Sequence, residues 1–366
     1  MNFEIALPET IRFARKCRFT LPALLPVGNV LFICGKHSAE RIKKEMLPLL
    51  EDRKVIISTG FSGEPLLTEV ENVLALARKE NVNAVIGWGG GSAMDGAKAV
   101  AALLKESSPV AEYFYGRSAA AERKVFFAAL PSTAGTGAEV TANAVLTDSS
   151  NGIKQSLRTP GMAPDAALVD PELVAECPHS VMAASGFDAL TQAIEGFISR
   201  KATTLTKSFA RSAVRDIFLN LADACSGDPS AVDAVTMGSL NAGIGLSKSG
   251  LGAVHGIGHP LGSLLHVPHG ICCGTLLVEV LRFNLPAVEA QMDELAALCG
   301  AKDAVDFIEK IADLRQKLGV PENFSSFGLE RKHFDFIIRN CRSGSMKSNP
   351  RDMSDQDVEQ LLEKML

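Results

Sequence analysis

Between residues 29 and 130 the chain alternates short, β-rich apolar runs with amphipathic helical stretches. That alternation restricts the first half to a parallel, wound sheet. Asn29–Cys34 (NVLFIC), 54–58 (KVIIS), 83–87 (NAVIG) and 125–130 (VFFAAL) read as strands. Residues 38–50, 68–80 and 93–104 read as the helices between them. After about Asp170 the apolar residues recur at helical spacing, over 186–197, 202–221, 231–246, 286–298 and 304–318, and strand-like runs nearly vanish. A chain of 366 residues suits two domains. The expected layout is α/β plus all-α: a sheet domain over 1–173 and a helical domain over 174–366, with the boundary at the DPEL of 170–173.

Composition removes several function classes. A net charge of −5 and a pI of about 5.9 give no reason to expect nucleic acid as a partner. No uninterrupted apolar run reaches the roughly 18 residues that suggest a membrane span. The opening MNFEIALPET carries an acid among its first apolar residues and lacks a basic-then-apolar signal layout. Eight cysteines are scattered without a CxxC, which points to a reduced, cytoplasmic protein. The adjacent pair Cys272 and Cys273, just past His269, lies in an apolar run and reads as core packing, with oxidation sensing near a metal as the alternative.

Chemistry enters at the ends of the strands. The strand at 83–87 leads into WGGGSAMDGAKAVA, where Gly89, Gly90 and Gly91 leave backbone N–H groups open to an anion. The following helix offers the same anion its positive end, and Ser92 adds a hydroxyl. Such a triplet also makes a plain tight turn, and Lys98 is too deep in the helix for a P-loop. The strand at 125–130 feeds PSTAGTGAEVTANAVLTD, in which Thr133 and Thr136 flank Gly135. Those hydroxyls either cap the loop or face a pyrophosphate or ribose. Two small-polar loops at neighbouring strand ends fit a dinucleotide, as in a Rossmann-like domain.

Four of the seven histidines crowd into AVHGIGHPLGSLLHVPHG, as His255, His259, His266 and His269. Glycines and prolines make this a bent segment rather than one smooth helix. Upstream, GFDALTQAIEGF places Asp188 and Gln192 one turn apart on a helix. Asp188 with His255 and His269 supplies three ligands for a divalent metal and leaves a position open for chemistry. Alternatively, Asp188 caps a helix starting near Ser185–Gly186.

The ordered series GGGSAMDGAK, LPSTAGTGAEVT, Lys154 with Pro160 and Pro164 before DPEL, GFDAL..AIE, HGIGHPLG..LHVPHG and the late NPR resembles the iron-containing (group III) alcohol dehydrogenases of the dehydroquinate-synthase-like superfamily. The resemblance runs almost end to end. It implies an N-terminal Rossmann-like cofactor domain, a C-terminal helical metal-binding domain and an active site in the cleft between them. Carried over by position, it makes Asp188, His255 and His269 metal ligands and His259 a catalytic neighbour of the substrate. Gly90, Gly91, Ser92, Asp95, Thr133, Thr136 and Lys154 become cofactor contacts. Asn143 would face the substrate, as would Leu246, where many relatives carry an aromatic residue. His266 receives no role beyond structure.

Two departures stand out. Iron-dependent members usually have histidine four residues after the aspartate, where this chain has Gln192, a neutral and weaker ligand. Gln192 is therefore a fourth ligand only conditionally, and Fe(II) and Zn(II) both stay open. At the end of the first strand, NAD-preferring members often carry an aspartate that repels a 2′-phosphate. Here Gly35 stands there, followed by Lys36, His37 and Ser38, which favours NADP(H) over NAD(H). The segment 241–254 contributes only Lys248 as a basic residue, which suits a small neutral alcohol or aldehyde. The expected activity is metal-assisted hydride transfer by a cytoplasmic homodimer or larger homo-oligomer. Two other readings use the same residues: an NADP(H)-binding paralogue without catalysis, and an enzyme resembling glycerol dehydrogenase or dehydroquinate synthase on the same scaffold.

Overall fold

Apolar runs in the first half form strands buried on both faces, as a parallel sheet flanked by helices requires. The computed structural model describes residues 5–61 and 63–366. Two compact units result: Met1–Thr133 with Ala138–Glu176, and Ala134–Gly137 with Cys177–Leu366.

The strands of the first unit are β1 (Thr10–Phe13), β2 (Asn29–Cys34), β3 (Val55–Ser58), β4 (Val82–Gly89), β5 (Phe126–Pro131), β6 (Ala144–Asp148), β7 (Ile153–Leu157) and β8 (Ala166–Val169). Six of them form one sheet in the order β1-β8-β5-β4-β2-β3, with every pairing parallel. β6 and β7 pair antiparallel as a separate hairpin. Its helices are α1 (Lys36–Glu45), α2 (Leu67–Lys79), α3 (Gly91–Leu103), α4 (Val110–Phe114) and α5 (Pro171–Val174). Because side chains alternate along a strand, the sheet builds two cores. Leu31, Ile33, Val85 and Phe127 join apolar residues of α2 and α3 on one side. Val30, Phe32, Ile86 and Trp88 join Ala39 and Ile42 of α1 on the other. β2 passes to β3 on one side and has β4 on the other, so the strand order reverses between β2 and β4. A crevice opens at the carboxyl ends of strands at such a reversal.

Several elements differ from the sequence expectation. β1 (TIRF) is four half-buried residues with an arginine among them, and β7 (IKQSL) is mostly exposed, so neither shows a strand pattern. α1 begins at Lys36, two residues before the expected start, because Gly35 supplies its extended N-cap.

The second unit, among its described residues, has helices and no strands. They are α6 (His179–Ile198), α7 (Thr204–Cys225), α8 (Pro229–Ser249), α9 (Ala253–Leu265), α10 (His269–Leu298), α11 (Ala304–Lys317), α12 (Phe334–Asn340), α13 (Gly344–Ser348) and α14 (Asp355–Glu363). Thr203, Asp228 and Asp303 cap α7, α8 and α11 through side-chain oxygens. Small residues bring the helices close. A Cβ on Gly186 of α6 would sit 2.2 Å from Leu221 of α7, and one on Gly238 of α8 would sit 2.6 Å from Ile217. α10 is long and apolar enough to cross a membrane by composition, but its most apolar stretch is mostly buried inside the unit, as in a core helix. The bent histidine segment resolves into two helices. His266 ends α9 in the left-handed conformation at φ 54°, and Pro268 starts α10.

One buried charge cluster ties β8, α5 and α1 together. Asp170 accepts hydrogen bonds from the Lys16, Arg18 and Glu172 backbone N–H groups and from Arg18 Nη1 at 2.7 Å. Arg18 also reaches Glu45 at 2.7 Å and Glu172 at 2.9 Å. Removing one partner of such a buried pair strands the other charge. Arg18→Met is expected to lower unfolding stability by about 3 kcal/mol, read from urea denaturation.

Candidate active site

Two groups of predicted residues are gathered, one in each unit. In the first unit, Cys34, Gly35 and Ser38 line a cavity with Gly90, Gly91 and Ser92, and Phe61 and Ser132 also border it. It lies where β2 and β4 end, at the reversal of strand order. None of Gly89, Gly90 and Gly91 has a positive φ, so the triplet is not a tight turn demanding left-handed residues. Close approach demands them instead. A Cβ on Gly89 would meet Ala93 at 2.8 Å, and one on Gly90 would meet the Thr133 side chain at 3.3 Å. α3 thus starts with bare backbone N–H groups, and its positive end faces the cavity.

Three predicted residues have protein partners in this unit. The Asp95 carboxylate accepts the Val145 N–H at 3.0 Å and lies 3.8 Å from the Lys98 ammonium, which fixes α3 to β6. Lys98 is fully buried and donates to Thr141 Oγ1 and the Asn143 carbonyl, both at 2.9 Å. The Asn143 amide reaches Ser156 at 3.4 Å. Lys154, on β7, pairs with Glu64. Thr136 belongs to the second unit with Gly135, whose Cβ would sit 2.8 Å from Ser185.

In the second unit, Asp188, His255 and His269 converge. His255 Nε2 lies 3.3 Å and His269 Nε2 3.6 Å from Asp188 Oδ1. α6 begins at His179, so Asp188 sits well inside a helix and does not cap one. His259 joins the group, its ring centroid 6.0 Å from that of His255 and 5.2 Å from that of His269. His266 is exposed at the end of α9, and Leu246 is half-buried on α8. Gln192 donates to the Asp188 carboxylate, and its own Oε1 is buried without a hydrogen-bond partner among the described residues.

Three contributors were not assigned from the sequence. Cys273 Sγ lies 3.7 Å from Nε2 of both His255 and His269. Glu195 accepts from His255 Nδ1 and from the Val254 N–H, each at 2.7 Å. Asn349, within the late NPR, accepts from the Ala253 N–H at 3.1 Å and exchanges hydrogen bonds with Asn284. Glu195 and Asn349 therefore hold the first turn of α9, where His255 sits. The signal for Glu195 was its spacing, seven residues or two turns after Asp188.

This donor set suits a divalent metal. Its ligand atoms, from Asp188, His255, His269 and Cys273, lie within 4.8 Å of one another. Burial pushes the Asp188 carboxyl up, but His269, His255 and the Gln192 amide hold it down at about 2. Burial opposes charge on His255 too, yet Cys273, Asp188 and Glu195 raise it well above its ordinary value. The cluster thus attracts positive charge. A metal ion would displace the histidine protons and leave neutral imidazoles as ligands. With its Nδ1–H held by Glu195, His255 presents Nε2 to the centre.

Comparison with known proteins identifies the family. The family described as iron-containing alcohol dehydrogenase matches residues 8–171, and the C-terminal part of the Fe-containing alcohol dehydrogenase family matches 182–366. The NAD-dependent methanol dehydrogenase of Bacillus methanolicus is 31% identical over 314 residues, covering 83% of this chain and 82% of that protein. The crystal structure of a 1,3-propanediol oxidoreductase superposes with a TM-score of 0.94 at 27% identity, over all of both chains. That of sulfoacetaldehyde reductase from Bifidobacterium kashiwanohense in complex with NAD+ superposes at 0.92 with 29% identity, over 100% of this chain and 99% of that one. The chain belongs to the iron-containing alcohol dehydrogenase family and is an oxidoreductase of that type.

Loss of the carboxylate behind a ligating histidine typically costs metal affinity roughly 10–100-fold. Glu195→Gln is expected to show a loss of about that size in chelator competition, with helix content unchanged by circular dichroism.

Proposed function

We propose that this chain interconverts small neutral alcohols and aldehydes, with Asp188, His255 and His269 holding a divalent ion and the glycine-rich end of β4 holding NADP(H). The observation that carries the reading is the convergence of those three side chains, Asp188 and His255 buried and His269 half-buried, with His255 oriented by Glu195. When bound, the ion supplies Lewis acidity to the substrate oxygen and the nicotinamide supplies the hydride chemistry. The remaining work belongs to the protein's own residues. Asp188 provides the negative charge that balances the ion. His259, beside the ligand histidines, is placed to hold or pass the substrate hydroxyl proton. Gly90, Gly91 and Ser92 offer N–H and hydroxyl donors to the pyrophosphate at the start of α3. Thr133, Thr136, Asp95 and Lys154 serve the cofactor side, Asp95 by fixing α3 to β6. Asn143 and Leu246 line the substrate. In this reading residues 1–173 carry the dinucleotide and 174–366 the metal.

The Bacillus relative is NAD-dependent and the Bifidobacterium structure holds NAD+, so NAD(H) is the baseline from which this chain departs. What supports NADP(H) is the N-terminus of α1. Gly35 brings no carboxylate, the first turn has no acid, and Lys36 is exposed there. A lysine in a first turn opposes the helix dipole unless an anion shares the site. The eight free cysteines support a reducing, cytoplasmic setting. A homodimer or larger assembly is the state the family resemblance suggests.

The test uses protein purified anaerobically and reloaded separately with iron(II) and zinc, following NADPH and NADH consumption with short aldehydes. Metal-dependent oxidation of NADPH supports the reading; nucleotide binding without turnover under either metal overturns it. Asp188→Ala should cut turnover roughly 10³-fold, the equivalent of several kcal/mol of charge stabilisation, while NADPH binding is retained. Gly35→Asp is tolerated sterically, because a Cβ there meets nothing within 4 Å. It should shift the ratio of kcat/KM values toward NADH by about 10-fold or more, since it repels a 2′-phosphate and accepts from a ribose hydroxyl.

A further inference from the structure

The position that would complete the ligand set is occupied by a sulfur. From the placement of Cys273 we infer that its thiolate is the fourth protein ligand of the metal, so that this chain carries an Asp–His–His–Cys site selective for zinc over iron(II). The inference rests on the metal-binding reading above and adds a ligand that neither the spacing of the histidines nor Gln192 provides.

The geometry favours it in three ways. First, a tetrahedral ion with nitrogen or oxygen at about 2.0–2.2 Å and sulfur at about 2.3 Å sets its ligand atoms roughly 3.3–3.6 Å apart. The protein holds four of the six edges near this length, at 3.3, 3.6, 3.7 and 3.7 Å, linking Asp188 Oδ1 to His255 and His269 Nε2, and both of these to Cys273 Sγ, and all four ligand atoms lie within 4.8 Å of one another. Second, His269 and Cys273 are four residues apart on α10 and share one face, so the helix presents the imidazole and the thiol together. Third, the Gln192 amide N–H donates to Asp188, and its Oε1, buried without a hydrogen-bond partner among the described residues, offers only a neutral amide oxygen, a weaker ligand than a thiolate. The neighbouring Cys272 has no such geometry. It packs beneath α9, where a Cβ on Gly262 would sit 2.9 Å from its sulfur.

Soft thiolate ligands select zinc, whereas iron(II) with oxygen and imidazole donors gains less from sulfur. On binding, the Cys273 S–H bond breaks, its proton goes to solvent, and the sulfur electron pair forms the bond to the ion. A four-ligand zinc can take a fifth ligand during reaction, so the set remains compatible with turnover.

The test uses the full-length protein loaded with cobalt(II), whose electronic spectrum reports sulfur ligation independently of activity. Wild type should bind one cobalt and show an intense near-ultraviolet sulfur-to-cobalt charge-transfer band. Cys273→Ser should lose that band while still binding cobalt, and should bind zinc more weakly than wild type in chelator competition. Cys272→Ser should keep the band. Cobalt bound by wild type without the band overturns Cys273 ligation and leaves the dehydrogenase reading intact. Failure of wild type to bind cobalt or zinc at all overturns both. Should Cys273→Ser not fold, X-ray absorption of zinc-loaded wild type decides: one sulfur bound to zinc supports the inference, and only nitrogen and oxygen overturn it.

Discussion

A single buried carboxylate organises the cluster of Asp188, His255 and His269. Glu195 is 2% exposed, and both of its oxygens are committed, one to the Val254 N–H and the other to His255 Nδ1. An unpaired charge at that depth would be costly, so its partners are effectively obligatory. Through the first contact it fixes where α9 begins; through the second it fixes which imidazole nitrogen faces Asp188. Space around it is equally constrained. A Cβ on Gly252 would sit 2.7 Å from Glu195 Oε1, so the chain enters α9 on a glycine.

Helical register then brings the remaining donors together. α6 carries Asp188, Gln192 and Glu195 along one stripe, α9 carries His255 and His259 one turn apart, and α10 carries His269 and Cys273 one turn apart. The left-handed residue His266 and the following Pro268 separate α9 from α10, so that histidines fourteen residues apart in sequence have ring centroids 5.3 Å apart. The cofactor side works differently. There the glycines at the end of β4 leave backbone groups bare, and Asp95 and Lys98 are used to hold α3 against the segment leading into β6.

How much of this was legible depends on whether the signal is local. Strands buried on both faces announce themselves as continuous apolar runs, as in NVLFIC and VFFAAL, and the glycine triplet marks the helix start that follows β4. β1, β8 and the β6–β7 hairpin escaped because they are four or five residues long: β8 (AALV) is buried but too short for a distinct apolar run, and the others are mostly half-buried or exposed, so no period-two alternation develops. In the site, His255, His269 and Asp188 could be grouped because histidine is scarce and clustered. Glu195 and Asn349 could not, since a carboxylate or amide that serves another residue looks like any polar position until its partner is known. Cys273 was hidden by its context. A cysteine pair in an apolar run has the pattern of core packing, and Cys272 is core packing; only the one-turn offset from His269 distinguishes its neighbour.

The two departures named from the sequence are of one kind: each is a single side chain on an otherwise regular element, Gly35 at the start of α1 and Gln192 inside α6. At Gly35 a carboxylate is absent while the helix N-terminus beside it keeps its positive end and gains Lys36. At Gln192 an imidazole is absent while α6 still delivers Asp188, whose carboxylate the glutamine amide now holds. A different helix, α10, places the Cys273 sulfur 3.7 Å from both His255 and His269, the position proposed for the fourth donor. In the proposed site α6, α9 and α10 each contribute a side chain to one cluster, so the donor set is decided side chain by side chain. In the proposed function, selectivity for metal and for coenzyme rests on single side chains, carried by a scaffold whose glycines, caps and buried Glu195 fix their positions.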